Sequence, residues 1–137
     1  MRKELQNKLY AKYPKLLSNL HEDPKLNSSP LAWDGIDVGD GWYDIIDTLC
    51  EEITRHSQSC QAQQIKEKFG GLRFYIDSGD EQIWKLIRKA EDTAYIVCEL
   101  CGSFENIGKT DGWTTTMCKD CYDKTGDGRH WHPIGDK

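Results

Sequence analysis

The chain has 137 residues, of which 37% are hydrophobic and 30% are charged, and its formal net charge at pH 7 is −5. This composition is typical of a globular protein and excludes a disordered one, and the length suffices for one domain with its own core. A net negative charge also disfavours a protein that covers nucleic-acid phosphates with its whole surface.

Hydropathy and the start of the chain bear on where the protein acts. No apolar run approaches the length of about 18 residues that a transmembrane helix needs. Residues 1–4 lead into an amphipathic segment and not into the apolar core of a secretory signal. We therefore expect an intracellular protein, most simply a cytoplasmic one.

The first third of the chain predicts two helices separated by a loop. Apolar residues recur at helical spacing near the start, and Pro14 is expected to end this helix near Lys12. Residues 21–40 are rich in proline, glycine, asparagine and serine, and predict an irregular loop. A second helix is expected from an N-cap at Asp40, with an apolar stripe over residues 42–53.

Residues 64–77 predict a β-hairpin with Gly70 and Gly71 as its two-residue turn. This register pairs Phe69 with Leu72, Glu67 with Phe74, and Ile65 with Ile76. All six side chains then share one face, which is apolar except for Glu67. The opposite face carries three cations and one aromatic side chain, namely Lys66, Lys68, Arg73 and Tyr75. A third helix follows, with Ser78 and Glu81 as its predicted capping box.

Four of the six cysteines form two C-x-x-C pairs, Cys98, Cys101, Cys118 and Cys121, with the spacing C-x2-C-x16-C-x2-C. Disulfides are not expected in a reducing compartment, and this spacing is typical of a zinc site. A dithiol redox role is the weaker alternative, because a thioredoxin-like site uses one pair on a βαβ unit. Four thiolates leave no open coordination position, so the predicted ion, one Zn²⁺, has a structural role.

The segment between the cysteine pairs predicts a hairpin, with strands over residues 103–107 and 113–117 and a turn between them. This is the layout of a zinc ribbon. Of the remaining cysteines, Cys50 is expected in the apolar stripe of the second helix. Cys60 lies in a polar stretch and is expected at the surface, with no predicted role.

Together these elements predict an α+β fold in which helices pack on a small antiparallel β-hairpin sheet, with a C-terminal zinc-ribbon lobe. The expected organisation is an α+β core domain over residues 1–97, a zinc ribbon packed on it over residues 98–122, and a flexible tail over residues 123–137.

Several motifs in this order resemble a widespread family of small proteins encoded by bacteriophages, prophages and bacteria. The motifs are KYPKLL, LAWDGIDVGDGWYDIIDTLC, IKEKFGGLRFYI and the terminal CELCG…GW…C-x-x-C, and KEKFGGLRFY is the most specific of them. The resemblance covers residues 9–121. It implies a phage or bacterial setting and the cytoplasm of a bacterial host, but no mechanism, because the family carries no assigned activity.

No enzyme motif stands out in the sequence. The acidic residues Asp34, Asp37, Asp40, Asp44 and Asp47 lack the spacing of a calcium loop, and turn and capping roles explain them better. A metal-dependent nuclease of the kind that places a histidine between its cysteine pairs is disfavoured, because residues 102–117 contain no histidine. His130 and His132 are expected in a solvated tail. We therefore predict that the protein is not an enzyme.

Two binding functions remain open. In the first, the protein binds a host or phage protein, such as a defence or transcription factor, through aromatic anchors; candidates are Trp33, Trp113 and Trp131. In the second, the hairpin face of Lys66, Lys68, Arg73 and Tyr75 binds nucleic acid by stacking and phosphate neutralisation. The acidic net charge weighs against the second function.

Overall fold

The computed structural model describes residues 1–135 of the chain. In chain order, its elements are α1 (Lys3–Lys12), a 3-10 turn (Ser18–His21), α2 (Pro30–Asp34), β1 (Ile36–Asp37), a 3-10 turn (Asp40–Trp42), α3 (Tyr43–His56), β2 (Ala62–Lys68), β3 (Gly71–Ile76), α4 (Glu81–Ala94), β4 (Ile107–Thr110), β5 (Thr116–Cys118), α5 (Lys119–Thr125) and β6 (Trp131–Pro133). The predicted α+β class is confirmed. None of the helices in residues 1–135 combines the length and apolar character that crossing a bilayer requires.

The main core lies between the first sheet and the long helices α1, α3 and α4. Trp42, Leu9 and Phe74 are among its fully buried side chains, and each such burial contributes roughly 1.5–3 kcal/mol. Cys50 is buried in this core, as its place in the helical stripe predicts. Cys60 is also buried, which corrects the expected surface position, and its thiol contacts the Ser78 carbonyl at 3.0 Å.

The first sheet has the strand order β1-β2-β3, with β1 parallel to β2 and β3 antiparallel to β2. The expected sheet was purely antiparallel, so β1 makes the observed sheet mixed. The sequence pattern missed β1 because it is only two residues long and lies in the segment predicted to be irregular. Helix α2 lies in the same segment, where Ser29 caps it by accepting a hydrogen bond from the Leu31 N–H.

The register of the hairpin differs from the prediction by two residues. Ile65 pairs with Phe74 and Glu67 with Leu72, and Lys68 with Gly71 closes the ladder, so the two-residue turn consists of Phe69 and Gly70 and not of a glycine pair. Phe69 and Gly70 have φ angles of 55° and 80°, and a type I′ turn needs a positive φ at both of its central positions. A shift of two residues preserves the faces of the strands, because side chains alternate with a period of two.

The two predicted helix caps, Ser78 and Asp40, do not cap α4 and α3. Asp80, not Ser78, caps α4 by accepting a hydrogen bond from the Ile83 N–H. Asp40 belongs to the 3-10 turn before α3, and its carboxylate accepts hydrogen bonds from the backbone N–H and the side chain of Arg2.

Residues 98–135 form the C-terminal lobe, which contains α5 and a second antiparallel sheet with the order β5-β4-β6. The two strands of the predicted ribbon hairpin are shorter than expected and lie later in the chain, since β4 covers residues 108–110 that were expected in the turn. Strand β6 extends their sheet. The prediction of a flexible tail over residues 123–137 is therefore wrong for β6, which pairs with β4. Trp131 explains the difference: its ring packs on Gly108, where a Cβ would lie 2.2 Å from it. Residues 136–137 of that tail lie outside the described residues.

Candidate functional site

The four cysteines of the two C-x-x-C pairs converge at one point of the C-terminal lobe. The Sγ atoms of Cys98, Cys101, Cys118 and Cys121 all lie within 4.8 Å of one another, and all are free thiols. The Sγ atoms of Cys101 and Cys118 are 3.7 Å apart. A tetrahedral zinc ion with Zn–S bonds of about 2.3 Å has S···S edges of about 3.8 Å. The donor set and the spacing therefore fit a metal ion.

Local backbone geometry shapes both cysteine pairs. In the first pair, the N–H of Gly102 donates a hydrogen bond to the Cys98 carbonyl at 2.9 Å, and Gly102 has a φ of 83°, which glycine adopts without steric cost. In the second pair, the N–H of Cys121 points at Cys118 Sγ at 3.4 Å, at the start of α5. Backbone hydrogen bonds within each pair therefore fix the positions of the two sulfur atoms.

The first cysteine pair is also hydrogen-bonded to the core. The carboxylate of Glu99, which lies inside the pair, accepts a hydrogen bond of 2.9 Å from the Gly39 N–H. Just before the pair, the indole of Trp42 donates to the carbonyl of Val97 at 2.9 Å. The cysteine site therefore joins the C-terminal lobe to the turn that precedes α3.

A cavity of about 530 Å³ lies where the two lobes meet, and we refer to it as the seam cavity. Its lining residues come from the β1 region, the hairpin, the first cysteine pair and the C-terminal lobe; they are Asp37, Val38, Gly39, Glu67, Glu99, Leu100, Trp113, Thr115, Met117, Thr125, Asp127 and Arg129. The cavity thus collects four carboxylates and one guanidinium.

Burial and mutual repulsion set the charge of the seam cavity. Burial raises the pKa of Glu99 above its usual value, and the nearby carboxylates of Glu67 and Asp37 raise it further. Burial likewise raises the pKa of Glu67, whose Oε2 atom is buried without a hydrogen-bond partner. Arg129 lowers the pKa of Asp127 to about 2 by hydrogen bonding, so this pair is neutral overall. The remaining carboxylates make the cavity acidic.

Sequence reasoning did not predict the seam cavity, although one signal was present. Glu67 was the only charged residue on the apolar face of the hairpin, and the structure shows that its side chain lines the cavity beside the C-terminal lobe. Glu99 and Arg129 gave no signal, because the first lies inside a cysteine pair and the second in the segment predicted to be a tail.

A groove of about 320 Å³ lies beside the seam cavity, between the tip of the β2–β3 hairpin and the loop of residues 112–114. We refer to it as the hairpin groove. Lys66 and Lys68 line it together with two aromatic side chains, Phe69 and Trp113, which are 72% and 79% exposed. The structure therefore brings three residues singled out in the sequence, the two lysines and Trp113, to one surface. Trp113 lines both the groove and the seam cavity.

The other predicted surface residues lie apart from this groove. Arg73 shares a strand face with Lys66, but its guanidinium donates hydrogen bonds to the Tyr95 hydroxyl and the Leu72 carbonyl. Tyr75 is exposed farther along β3, opposite Gln64.

The predicted aromatic anchors also differ in their surroundings. Trp33 is 63% exposed on α2, away from the cysteine site. Trp131 is partly buried against the C-terminal cluster, and its indole donates to the Met117 carbonyl at 3.0 Å.

The acidic residues between positions 34 and 47 do not form a metal-ligating group within the described part of the chain. Asp47 accepts hydrogen bonds from Lys12 at 2.7 Å and from the Tyr13 hydroxyl at 2.5 Å. Asp40 is paired with Arg2. Two of these carboxylates therefore hold α1 against the start of α3, which is a structural role.

Comparisons with protein-family models, with curated proteins and with solved structures find no match to this chain.

Proposed function

We propose that the protein is a non-catalytic zinc-binding interaction protein. One Zn²⁺ held by Cys98, Cys101, Cys118 and Cys121 would close the C-terminal lobe as a zinc ribbon. The sulfur spacing supports this assignment, because it matches the edge of a zinc tetrathiolate. Four protein ligands leave no position for a substrate, so zinc here stabilises the fold and performs no chemistry. The resemblance to phage and bacterial proteins, which stays a prediction, suggests a bacterial cytoplasm as the setting.

The binding surface is the hairpin groove together with the seam cavity. The observation that carries this proposal is the position of Trp113, which is 79% exposed and lines both of them. Exposed aromatic side chains beside a pocket are the usual anchors of protein interfaces. Phe69 adds a second anchor on the far side of the groove. A partner protein would cover these two rings and exclude water from them.

The negative charge of the seam cavity indicates which side chain of the partner would enter it. Glu67 has an unpartnered buried carboxylate oxygen, and the Glu99 carboxylate is held nearby by Gly39. An arginine or lysine side chain of the partner would supply the missing donor and relieve the repulsion between these carboxylates. The partner is therefore expected to be a protein segment with a cationic residue next to an apolar one.

Nucleic acid is the second candidate, and the grouping of Lys66 and Lys68 with two exposed rings favours it. Stacking on Phe69 and Trp113 with phosphate contacts to the lysines would be its mechanism. Three features weigh against it: the adjacent acidic cavity repels phosphates, Arg73 is already engaged by Tyr95, and the net charge is −5. A protein partner is therefore the better proposal.

Photo-cross-linking in a bacterial lysate tests the proposal. The zinc-loaded full chain carries a photoreactive amino acid in place of Trp113 or, as the matched control, in place of Trp33, which is exposed on α2. A discrete protein adduct is expected at position 113 and not at position 33. Adding Glu67→Gln and Glu99→Gln should reduce it, since the cationic side chain of the partner loses its carboxylates.

Two outcomes overturn the protein-partner proposal. One is the same adduct pattern at both positions, which indicates non-specific contact. The other is a nuclease-sensitive adduct at position 113, combined with oligonucleotide binding that weakens steeply with salt and is lost in Lys66→Glu with Lys68→Glu. That second result would assign the groove to nucleic acid.

A further inference from the structure

We propose that Asp111, His130 and His132 form a second metal site, which binds a divalent transition-metal ion independently of the four cysteines. One ligand atom from each of these residues lies within 4.8 Å of the others. His132 Nδ1 is 3.3 Å from Asp111 Oδ1. This site goes beyond the proposed function, because neither the zinc ribbon nor the partner surface uses these side chains.

The pairing of β4 with β6 explains why the three residues meet. Thr110 pairs with Trp131, so the next residues outward, Asp111 and His130, face each other. The Asp111 N–H donates a hydrogen bond of 2.9 Å to the His130 carbonyl. His132 is two residues farther along the strand, and residues separated by two project from the same face. The backbone therefore fixes the spacing of all three ligands.

Trp131 sets which face the histidines use. Its ring packs inward on Gly108, and its indole N–H donates to Met117. Because side chains alternate along a strand, its two neighbours point outward to solvent. The imidazole rings of His130 and His132 lie with their centroids 6.0 Å apart and 27° between their planes. Two imidazoles on one side of an anchored strand are thus presented to the same point.

The donor set selects the class of ion. Two imidazoles and one carboxylate suit Zn²⁺, Ni²⁺ and Cu²⁺ and suit Ca²⁺ and Mg²⁺ poorly, since the latter prefer oxygen ligands. Three protein ligands leave at least one coordination position open. Lys109 lies opposite His132 in the ladder, but its ammonium group sits over the Tyr95 ring at 4.4 Å. This site is exposed, so its ion exchanges with solution more readily than one held by four cysteines.

Calorimetric titration with Ni²⁺ tests the site on the full chain already loaded with one zinc ion. One Ni²⁺ per chain is expected to bind. His130→Ala and His132→Ala should each weaken that binding at least tenfold, and Asp111→Asn should weaken it less. His56→Ala is the matched control, because His56 also contacts a carboxylate, Asp80, at 2.7 Å but has no third ligand nearby in the described part of the chain. This control should bind Ni²⁺ as the unaltered protein does.

An NMR measurement on the unaltered protein keeps the test independent of how the variants fold. Paramagnetic Ni²⁺ should broaden the amide signals of residues 109–111 and 130–132 first. Broadening centred on the cysteine pairs, or Ni²⁺ affinity unchanged in the variant that lacks both His130 and His132, would overturn the proposal.

Discussion

The backbone of Gly41 packs directly against the carbonyl group of Cys98. A Cβ at Gly41 would lie 2.2 Å from the Cys98 oxygen, far inside van der Waals contact. The Gly41 N–H also donates a hydrogen bond of 2.8 Å to the carbonyl of Glu99. Only glycine permits this approach, so the turn before α3 and the first cysteine pair are coupled through their backbones.

The variant Gly41→Ala is expected to lower the free energy of unfolding by about 1–3 kcal/mol, because the added methyl group forces the turn and the cysteine pair apart. It should also lose bound metal to a chelator faster, since metal binding and folding of the site are linked. Urea denaturation and chelator competition measure these two effects. Gly128→Ala is the control, because nothing lies within 4 Å of a Cβ there. Metal retention equal to that of the unaltered chain would contradict the coupling.

The parts of the fold that depend on local sequence were predictable. Helix α1 ends at Lys12, close to where Pro14 predicts. The convergence of the four cysteines follows from their spacing, because each C-x-x-C pair is a local structure and a short hairpin joins the two. In both cases, the residues that determine the structure lie close in sequence to the structure that they determine.

The parts that depend on tertiary contacts were not predictable. The hairpin turn starts at Phe69 because Gly71 packs against Tyr95, where a Cβ would lie 2.5 Å from the ring. No local signal indicates that contact, since Tyr95 is 24 residues away in the chain. The seam cavity likewise requires knowing how the C-terminal lobe sits on the hairpin. Its acidic residues come from segments that are distant in sequence, so spacing alone does not reveal them.

Removal of the metal is expected to unfold the C-terminal lobe while the helical core keeps much of its structure. Structural zinc contributes roughly 10–16 kcal/mol of apparent folding free energy in small zinc domains. The lobe buries only a small cluster of its own around Ile107 and Met117, which is too small to replace that contribution. Hydrogen exchange after chelation should show lost protection over residues 98–135 and retained protection in α3. Cys118→Ser should reproduce this pattern, and full protection in the chelated protein would contradict it.

The variant Glu67→Gln is expected to stabilise the protein at pH 7 by about 0.5–1 kcal/mol, a modest value because part of the side chain stays in contact with solvent. Burial raises the pKa of Glu67 in the folded state. A raised folded-state pKa means that the contribution of this group is most favourable below its unfolded pKa of about 4.5 and is lost as the pH rises. The difference between the variant and the unaltered chain should therefore shrink as the pH falls.

Thermal unfolding measured from pH 7.5 down to about 5.5 checks this dependence while the cysteines keep their metal. Glu22→Gln, at an exposed position, is the control and should change the midpoint little at any of these pH values. A Glu67→Gln variant that is less stable at pH 7.5 would show that the carboxylate has a stabilising partner.

Thr116 links the C-terminal lobe to the hairpin through its hydroxyl group, while its backbone carbonyl pairs within the lobe. Its hydroxyl donates to the Gly70 carbonyl at 2.6 Å, and its own carbonyl accepts from the Glu99 N–H at 3.0 Å. Thr116→Val keeps the shape of the side chain but leaves the Gly70 oxygen buried without a partner, which should cost about 1–3 kcal/mol. Thr93→Val, which removes an exposed hydroxyl on α4, should cost less than about 0.5 kcal/mol. Urea denaturation at constant m-value measures both. Equal stabilities of the two variants would mean that solvent reaches Gly70, and that the lobe is not fixed to the hairpin tip at this point.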